Sequence, residues 1–364
     1  MTETTAAIIL AQLTLNRVSL VDVKSIYDET GSAVAVLDRM KETVKGVDYG
    51  SLEKRAEQEQ QWCANNKVQI LLISDERYPQ RLSHCSDAPL VLFNRGQMDF
   101  NTQHVVAIVG TRKCTTYGQD CIDSIVNGLH QMIPDLAIVS GLAYGVDITA
   151  HRAAMRNEIP TAGVVAHGQD MLYPASHRTE ANKMVLGQGA VLTEYLSGIR
   201  PEARNFLQRN RIIAGMCDAV IVPESAERGG SLATARLAME YGRDVFAVPG
   251  AVNAEYSKGC NNLIRDNKAA LITSAKDVAD AMGWQMETEL QDARRKGIER
   301  SLFVELTPNE QTIVDALTKN GDMQVNAITQ VTGMPFANVS TTLFSLEMKG
   351  VIKPLSGNVF HLIN

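Results

Sequence analysis

From Val68 to about residue 273 short apolar runs recur along the chain: "VQILLI", "HVVAIVG", "LAIVS", "TAGVVA", "GAVLTE", "DAVIVPE", "DVFAVPG" and "AALIT". They are rich in Val and Ile, and stretches of helix length separate most of them. Runs that are apolar throughout, rather than alternating, are strands buried on both faces. Strands spaced by helices predict a parallel sheet of the doubly wound α/β class. Such a sheet collects ligands outside the carboxyl ends of its strands.

The pattern changes on either side. Residues 1–66 carry helix-like apolar spacing in "TTAAIILAQL", "SLVDVKSIYDET" and "GSAVAVLDRMKETV", with Ser19 as an N-cap and Asp22 in the first turn after it. This predicts a small helical domain of the SAM or helix-hairpin-helix kind. A helix-hairpin-helix needs glycine in its tight turn so that backbone amides can reach phosphate; "TLNRVSL" has none, which argues against DNA contact there. Residues 67–285 hold the sheet. Residues 286–306 are charged and poor in apolar groups and read as a linker. Residues 307–364 begin with Thr307 as N-cap, Pro308 at the first helical position and Glu310 completing a capping box. Two more helices follow, in "MQVNAITQVTG" and "PFANVSTTLFSLEMKG", and then a hairpin around Ser356-Gly357-Asn358, which together predict a winged helix.

Composition narrows the class. Hydrophobic residues make up 45% and charged residues 21% of the 364, as in soluble globular proteins of two or three domains. No apolar run approaches the roughly 18 residues of a membrane helix, and "MTETTAAIILAQL" lacks the basic region of a signal peptide. The 6 cysteines show neither C-x-x-C nor metal-ligand spacing, and reduced thiols in a cytoplasmic protein are expected. The net charge of −6 is negative in every region: residues 1–102 carry 11 basic against 14 acidic side chains, residues 103–285 carry 17 against 18, and residues 307–364 carry 3 against 4. No domain is basic overall, so any nucleic-acid site must be a local cluster.

The strand ends supply candidates. "VVAIVGTRKCTTYG" runs from a strand into a loop and a helix start, yet it holds neither G-x-G-x-x-G nor the Walker G-K-[ST]. It offers Gly110, Thr111 and Arg112. The next strand ends at Ser140, Gly141 and Gly145, with Asp147 and His151 spaced to hydrogen-bond on one helix face. A later one ends in "ESAERGGS", with Gly229, Gly230 and Ser231, and the last of these loops reaches Lys258. Glycine and serine at neighbouring strand ends let backbone N–H groups face an anion, and Arg112 adds a fork that grips phosphate. "RPEARNFLQRNRIIAG" concentrates Arg200, Arg204, Arg209 and Arg211 against Glu202 alone, with Arg209, Asn210 and Arg211 expected where a loop turns into a helix. This is a candidate phosphate-tracking patch. No nucleophile with a base, carboxylate pair, metal site or cofactor motif stands out.

With "VGTR", "SGLAYGVDITAH", "RNRIIAG", "GGSLATARLAMEYGRDVFAVPG" and "NNLIRDNKAALI" in this order, the chain resembles the DNA-processing protein A family (DprA, also called Smf) over residues 70–285. "YPQRLSHCSDAPLVLFNRG" resembles the segment preceding that family's Rossmann-like domain. The resemblance implies an extended Rossmann-like sheet and a non-enzymatic protein. It implies binding of single-stranded DNA and loading of the RecA recombinase onto it, notably in natural transformation. It assigns Arg112 to the phosphate-binding arginine, Arg209 and Arg211 to the basic segment, and Gly230-Ser231 to the "SGSL" loop. Departures are "FLQRNR" for "FPxRNR", Gly229 for a serine, and Asn267-Lys268 for a Gly-Ala pair. A homodimer is also implied. Its interface is expected in "LIRDNKAALITSAKDVADAMGW", where Leu263, Ile264, Leu271, Ile272, Val278 and Met282 exceed the needs of one helix–sheet contact.

A second class is a nucleotide-binding Rossmann-like enzyme of the phosphoribohydrolase type, with P-G-G-x-G-T-x-x-E. Aligning Gly229-Gly230 with its glycines places Leu232, Ala233 and Arg236 where Gly, Thr and the catalytic Glu belong, and leaves Glu240 one turn further on. The winged helix, at net −1 and with Lys349 as the basic residue of its third helix, is expected to serve protein contact or regulation rather than duplex DNA.

Overall fold

The structure, a computed structural model, describes residues 1–15, 17–284 and 306–363. It divides into two compact units, Met1–Trp284 and Gln285–Asn364. The expected charged linker, 286–306, falls almost wholly outside the described residues.

The first unit opens with α1 (Glu3–Thr14), α2 (Leu20–Thr30), α3 (Ala33–Thr43) and α4 (Tyr49–Asn65). Thr2, Ser19, Ser32 and Asp48 cap them, each side chain accepting from the backbone N–H three residues on. Ile8, Ile9, Leu13, Val36 and Leu37 from these helices bury against Val91 and Phe93 of the sheet.

Then follow β1 (Gln69–Leu72), α5 (Gln80–Ser83), β2 (Val91–Gly96), β3 (His104–Ile108), α6 (Thr116–Met132), β4 (Leu136–Ser140), α7 (Val146–Arg156), β5 (Thr161–Val164), α8 (Arg178–Leu186), β6 (Ala190–Thr193), α9 (Ala203–Gly215), β7 (Ala219–Val222), α10 (Gly230–Glu240), β8 (Asp244–Ala247), α11 (Lys258–Arg265), β9 (Ala270–Leu271) and α12 (Ala275–Ala281). Among the described residues they form a nine-stranded sheet in the order β1-β2-β6-β5-β4-β3-β7-β8-β9. From β6 to β9 every pairing is parallel. β1 and β2 extend the sheet antiparallel, with β2 on β6. The parallel sheet read from the apolar runs is therefore present, and the antiparallel pair at its edge is what the N-terminal helices cover.

From β3 the chain builds outward through β4, β5 and β6, then returns to lay β7 on the other side of β3. The strand order reverses between β3 and β7, which makes their carboxyl ends the place for a ligand. At the far edge, Leu263, Ile272 and Val278 are core residues, and Ile264 and Met282 pack against that core. The apolar excess expected as a dimer interface is thus mostly interior; only Leu271 of that set, on edge strand β9, is exposed.

The second unit is a winged helix. Three helices, Pro308–Asn320, Val325–Thr332 and Phe336–Met348, pack Ile313, Leu317, Ile328, Val339, Leu343 and Leu346 into one core. Beside them lies an antiparallel sheet with Val359–Leu362 between Met323–Gln324 and Ile352–Leu355. The capping box at Thr307 and Glu310 is formed in both directions.

Candidate nucleic-acid interface

The loop after β3 is held on both sides. The Thr111 N–H donates to the Glu224 carbonyl at 2.8 Å, and the Thr111 carbonyl accepts from the Val146 N–H at 3.1 Å. Gly145 has φ +75°, and a side chain there would fall on the Thr111 carbonyl and the Arg112 backbone. Gly110 is equally enclosed, by the Glu224 carbonyl and Val146. The glycines at these strand ends are therefore spent on close backbone packing.

The N-terminus of α6, where a dinucleotide fold holds pyrophosphate, is already filled. The Glu224 carboxylate accepts from the Thr115 N–H at 2.8 Å and from its hydroxyl at 2.6 Å. It is 2% exposed, and it stands where Gly118 leaves room for it. A fixed carboxylate at that helix end satisfies its dipole and repels phosphate. What the loop offers an anion instead is Arg112. Its side chain is exposed, and its guanidinium lies 5.2 Å from the centroid of the Phe206 ring. Tyr173, itself exposed, packs against the same ring, with the two ring centroids 5.8 Å apart.

Arg209 and Arg211 lie well inside α9, not at a loop-to-helix junction, and both are buried. Arg209 donates to the carbonyls of Gly141, at 2.8 Å, and Val164. Its Nε reaches the Asn210 side chain at 3.3 Å. Burial pulls its pKa down to about 10, against the pull of nearby Asp147. Burial raises the Asp147 carboxyl, and Arg209 opposes that rise. A side chain at Gly141 would collide with both groups, so this glycine makes space for a buried charge pair. Arg211 pairs with Glu194 and donates to the Asp87 carbonyl at 2.6 Å. Two of the arginines read as a phosphate patch are thus internal braces, while Arg200 and Arg204 are exposed at the start of the same segment.

Other candidates also turn inward. The Ser140 hydroxyl donates to the Ile108 carbonyl at 2.6 Å and ties β4 to β3. Asp147 accepts from the Ala143 N–H at 3.3 Å, whereas His151 Nδ1 meets the Thr161 hydroxyl at 2.7 Å. The expected Asp–His hydrogen bond is replaced by these two. Ser231 is buried and bonds Ser225 at 2.9 Å; Asn210 donates to the Gly230 carbonyl at 3.3 Å, docking α9 on α10. Gly229 and Gly230 are exposed. Lys258 is exposed too, on the β8 side of the β3 loop, while Phe206 and α9 lie on the other. Glu240 sits at the last turn of α10, paired with Arg236 at 3.6 Å, with both side chains more than half exposed. Eleven residues of helix put it roughly 15 Å from the strand ends. Reading the sequence for phosphate groups passed over Glu224, Tyr173 and Phe206. The signal for Phe206 was available, since it lies three residues before Arg209 and so on the same helix face.

The family model described as DNA recombination-mediator protein A matches residues 69–283. The chain belongs to this family. DNA recombination-mediator protein A has a separate winged-helix model, described as DprA winged helix domain, which matches residues 304–358. The DNA processing protein DprA of Streptococcus pneumoniae is 43% identical over 206 residues, 57% of this chain and 71% of that one. Protein Smf of Escherichia coli is 31% identical over 312 residues, 83% of this chain and 79% of that one. Among solved structures, DprA from Streptococcus pneumoniae superposes with a TM-score of 0.58 at 35% identity, over 77% of this chain and 93% of that one. DNA processing protein A from Helicobacter pylori, described for its unique single-stranded DNA binding mode, gives 0.53 at 29% identity, over 62% and 96%. No helix among the described residues is long and apolar enough to cross a membrane.

Proposed function

We propose that this chain is a cytoplasmic, non-enzymatic recombination mediator that binds single-stranded DNA and loads RecA onto it, acting as a homodimer. The observation that carries the DNA reading is the contrast at the switch point. The anion position of a nucleotide enzyme is filled by Glu224, while Arg112 stands exposed over Phe206. A cation beside an aromatic face suits a strand that presents phosphate and base in turn. Thr111 and Arg112, with Gly229 and Gly230, form the contact surface, and Gly110 packs beneath them. Ser140, Gly141, Gly145, Arg209, Asn210, Arg211 and Ser231 hold it in shape. Lys258 lies further along the strand's path. The family resemblance supports RecA loading and self-association, and the Helicobacter pylori relative supports single strands as the ligand. The position of Glu240, away from the strand ends, weighs against hydrolysis.

The test is a binding titration with single-stranded oligonucleotides at several salt concentrations. Arg112→Ala is expected to weaken binding alike for all base sequences and to reduce the salt slope by about 0.7, one phosphate contact on a single strand. Phe206→Ala is expected to cost ~1–3 kcal/mol, one stacked base, with the salt slope kept. A folded Arg112→Ala protein with wild-type affinity would remove the loop from the interface.

A further inference from the structure

On the other side of the β3 loop, away from Phe206, lies an open hollow of about 540 Å³. Thr115, Tyr117, Glu224, Gly250, Glu255 and Tyr256 are among the residues that line it. It stands at the carboxyl ends of β7 and β8, so it belongs to the same edge of the sheet as Arg112. The loop from Gly110 to Thr115 is the wall between them: Arg112 leans over Phe206, and Thr115 faces the hollow.

Its walls are fixed before anything enters. Tyr117 is 47% exposed, yet its hydroxyl is pinned by donation to the Pro249 carbonyl at 2.6 Å. Opposite it, the Gly250 N–H donates to the Asn261 side chain at 3.1 Å, and that side chain donates back to the Gly250 carbonyl at 2.9 Å. A β-carbon on Gly250 would run into Ser257 and would stand 3.8 Å from the Tyr117 ring. A bare backbone surface thus faces an exposed aromatic ring.

The charges sort what can occupy it. Glu224 and Glu255 line the hollow itself and disfavour an anion inside. Lys113, two residues before the lining Thr115, and Lys258, directly after the lining Ser257, are both exposed, and neither forms an ion pair among the described residues. Acceptors within and exposed cations on the segments that line it suit a neutral planar group whose anionic links stay outside. That is a nucleobase on its phosphate backbone. The three exposed tyrosines among the described residues, Tyr117, Tyr144 and Tyr173, all belong to loops or helix starts following β3, β4 and β5. Exposed aromatic surface on the tyrosines is therefore confined to the edge where a strand of DNA would run.

We propose that this hollow is a second base-binding site, in which a base of the same single strand that crosses Arg112 stacks on Tyr117, with Lys113 and Lys258 holding the phosphates on either side. The inference rests on the single-strand reading of Arg112, and its test separates the two. Oligothymidylates of about 6 and about 15 nucleotides span the range of single-strand site sizes. Tyr117→Ala is expected to lower the ratio of long-oligomer to short-oligomer affinity about tenfold, the loss of one stacked base, ~1.4 kcal/mol. Tyr117→Trp retains a stacking face, and its fluorescence should be quenched by the long oligomer and much less by the short one. A ratio within twofold of wild type in Tyr117→Ala, or an unquenched Tyr117→Trp saturated with the long oligomer, overturns the second site. If Arg112→Ala lowers both affinities in the same series, the first site stands whatever the outcome at Tyr117. If wild-type protein binds neither length, both readings fall.

Discussion

At the carboxyl edge of the sheet Arg112 is exposed over an aromatic ring, whereas in the winged helix the cation nearest the third helix is tied down. Lys349 donates to Glu310 at 2.7 Å, and the same carboxylate accepts from the Ser345 hydroxyl at 2.7 Å. That third helix, the one a duplex reader would place in the major groove, instead exposes Phe336, Phe344 and Met348 at 55%, 64% and 73%. The two regions carry similar net charge, so overall balance does not separate them. What separates them is whether cations are left unpaired beside flat apolar surface, because phosphate affinity comes from displaced counterions at unneutralised groups. The same distinction operates inside α9, where Arg209 and Arg211 serve the fold.

The largest expected effect tests that internal distinction. Arg209→Ala leaves Asp147 buried without its counter-charge and two carbonyls without a donor. A loss of ~3–5 kcal/mol in denaturant unfolding is expected. Arg112→Ala should stay within about 0.5 kcal/mol in the same measurement, as exposed substitutions do. Equal stabilities for the two variants would break the division between brace and contact.

This division marks where the sequence stops being legible. The strands of the parallel sheet are plain because runs such as "VVAIV" and the "AVIV" of "DAVIVPE" are apolar at every position, as burial on both faces demands. The loops at their ends followed from that topology. β2 was harder, since "VLFNRG" breaks into polar residues after three positions and pairs antiparallel at the sheet's edge. The depth of an arginine was not legible at all. Arg204 and Arg209 lie on one helix, yet one reaches solvent and the other a cleft that exists only because Gly141 has no side chain. A glycine that receives a guanidinium from a distant helix looks, in sequence, like a glycine awaiting a phosphate.

Acid should separate the two units by window. His151 is fully buried. The Thr161 hydroxyl donates to the Ile138 carbonyl at 2.9 Å, so Nδ1 must donate to Thr161. Burial, with His177 and Arg209 nearby, pulls the His151 pKa from 6.5 to about 3. The unfolded chain therefore binds a proton below 6.5 that the folded chain refuses until about 3. Its contribution is complete above 6.5 and falls with pH by about 1.4 kcal/mol per unit below it. In the winged helix, hydrogen bonds from Lys349, the Thr307 N–H and Ser345 hold Glu310 down to about 2 from 4.5, so its contribution lasts to 4.5 and is lost between there and about 2. Unfolding followed from pH 7 to 5 should weaken the sheet unit and spare the winged helix. His151→Gln should flatten the first slope. A winged helix that loosened first would reverse the assignment.

The smallest expected effect is the sharpest test of the contrast between the two regions. If affinity for single strands comes from the sheet edge, removing residues 307–364 subtracts three lysines, one of them held by Glu310. It adds back four acidic groups' worth of relief from repulsion, since Glu310, Asp315, Asp322 and Glu347 leave together. The electrostatic terms nearly cancel. The polar groups that leave, such as Asn338 and Thr341, can hydrogen-bond a backbone but cannot replace counterion release. Deletion is therefore expected to leave single-strand affinity within about threefold, ~0.65 kcal/mol, and to leave the salt slope unchanged. Replacing Phe344 and Met348 with serine in the full chain should likewise leave DNA binding alone while altering a protein contact that uses this face. A loss beyond tenfold on deletion, with a shallower salt slope, would mean that the winged helix supplies phosphate contacts of its own and that its tied lysine is released when DNA arrives.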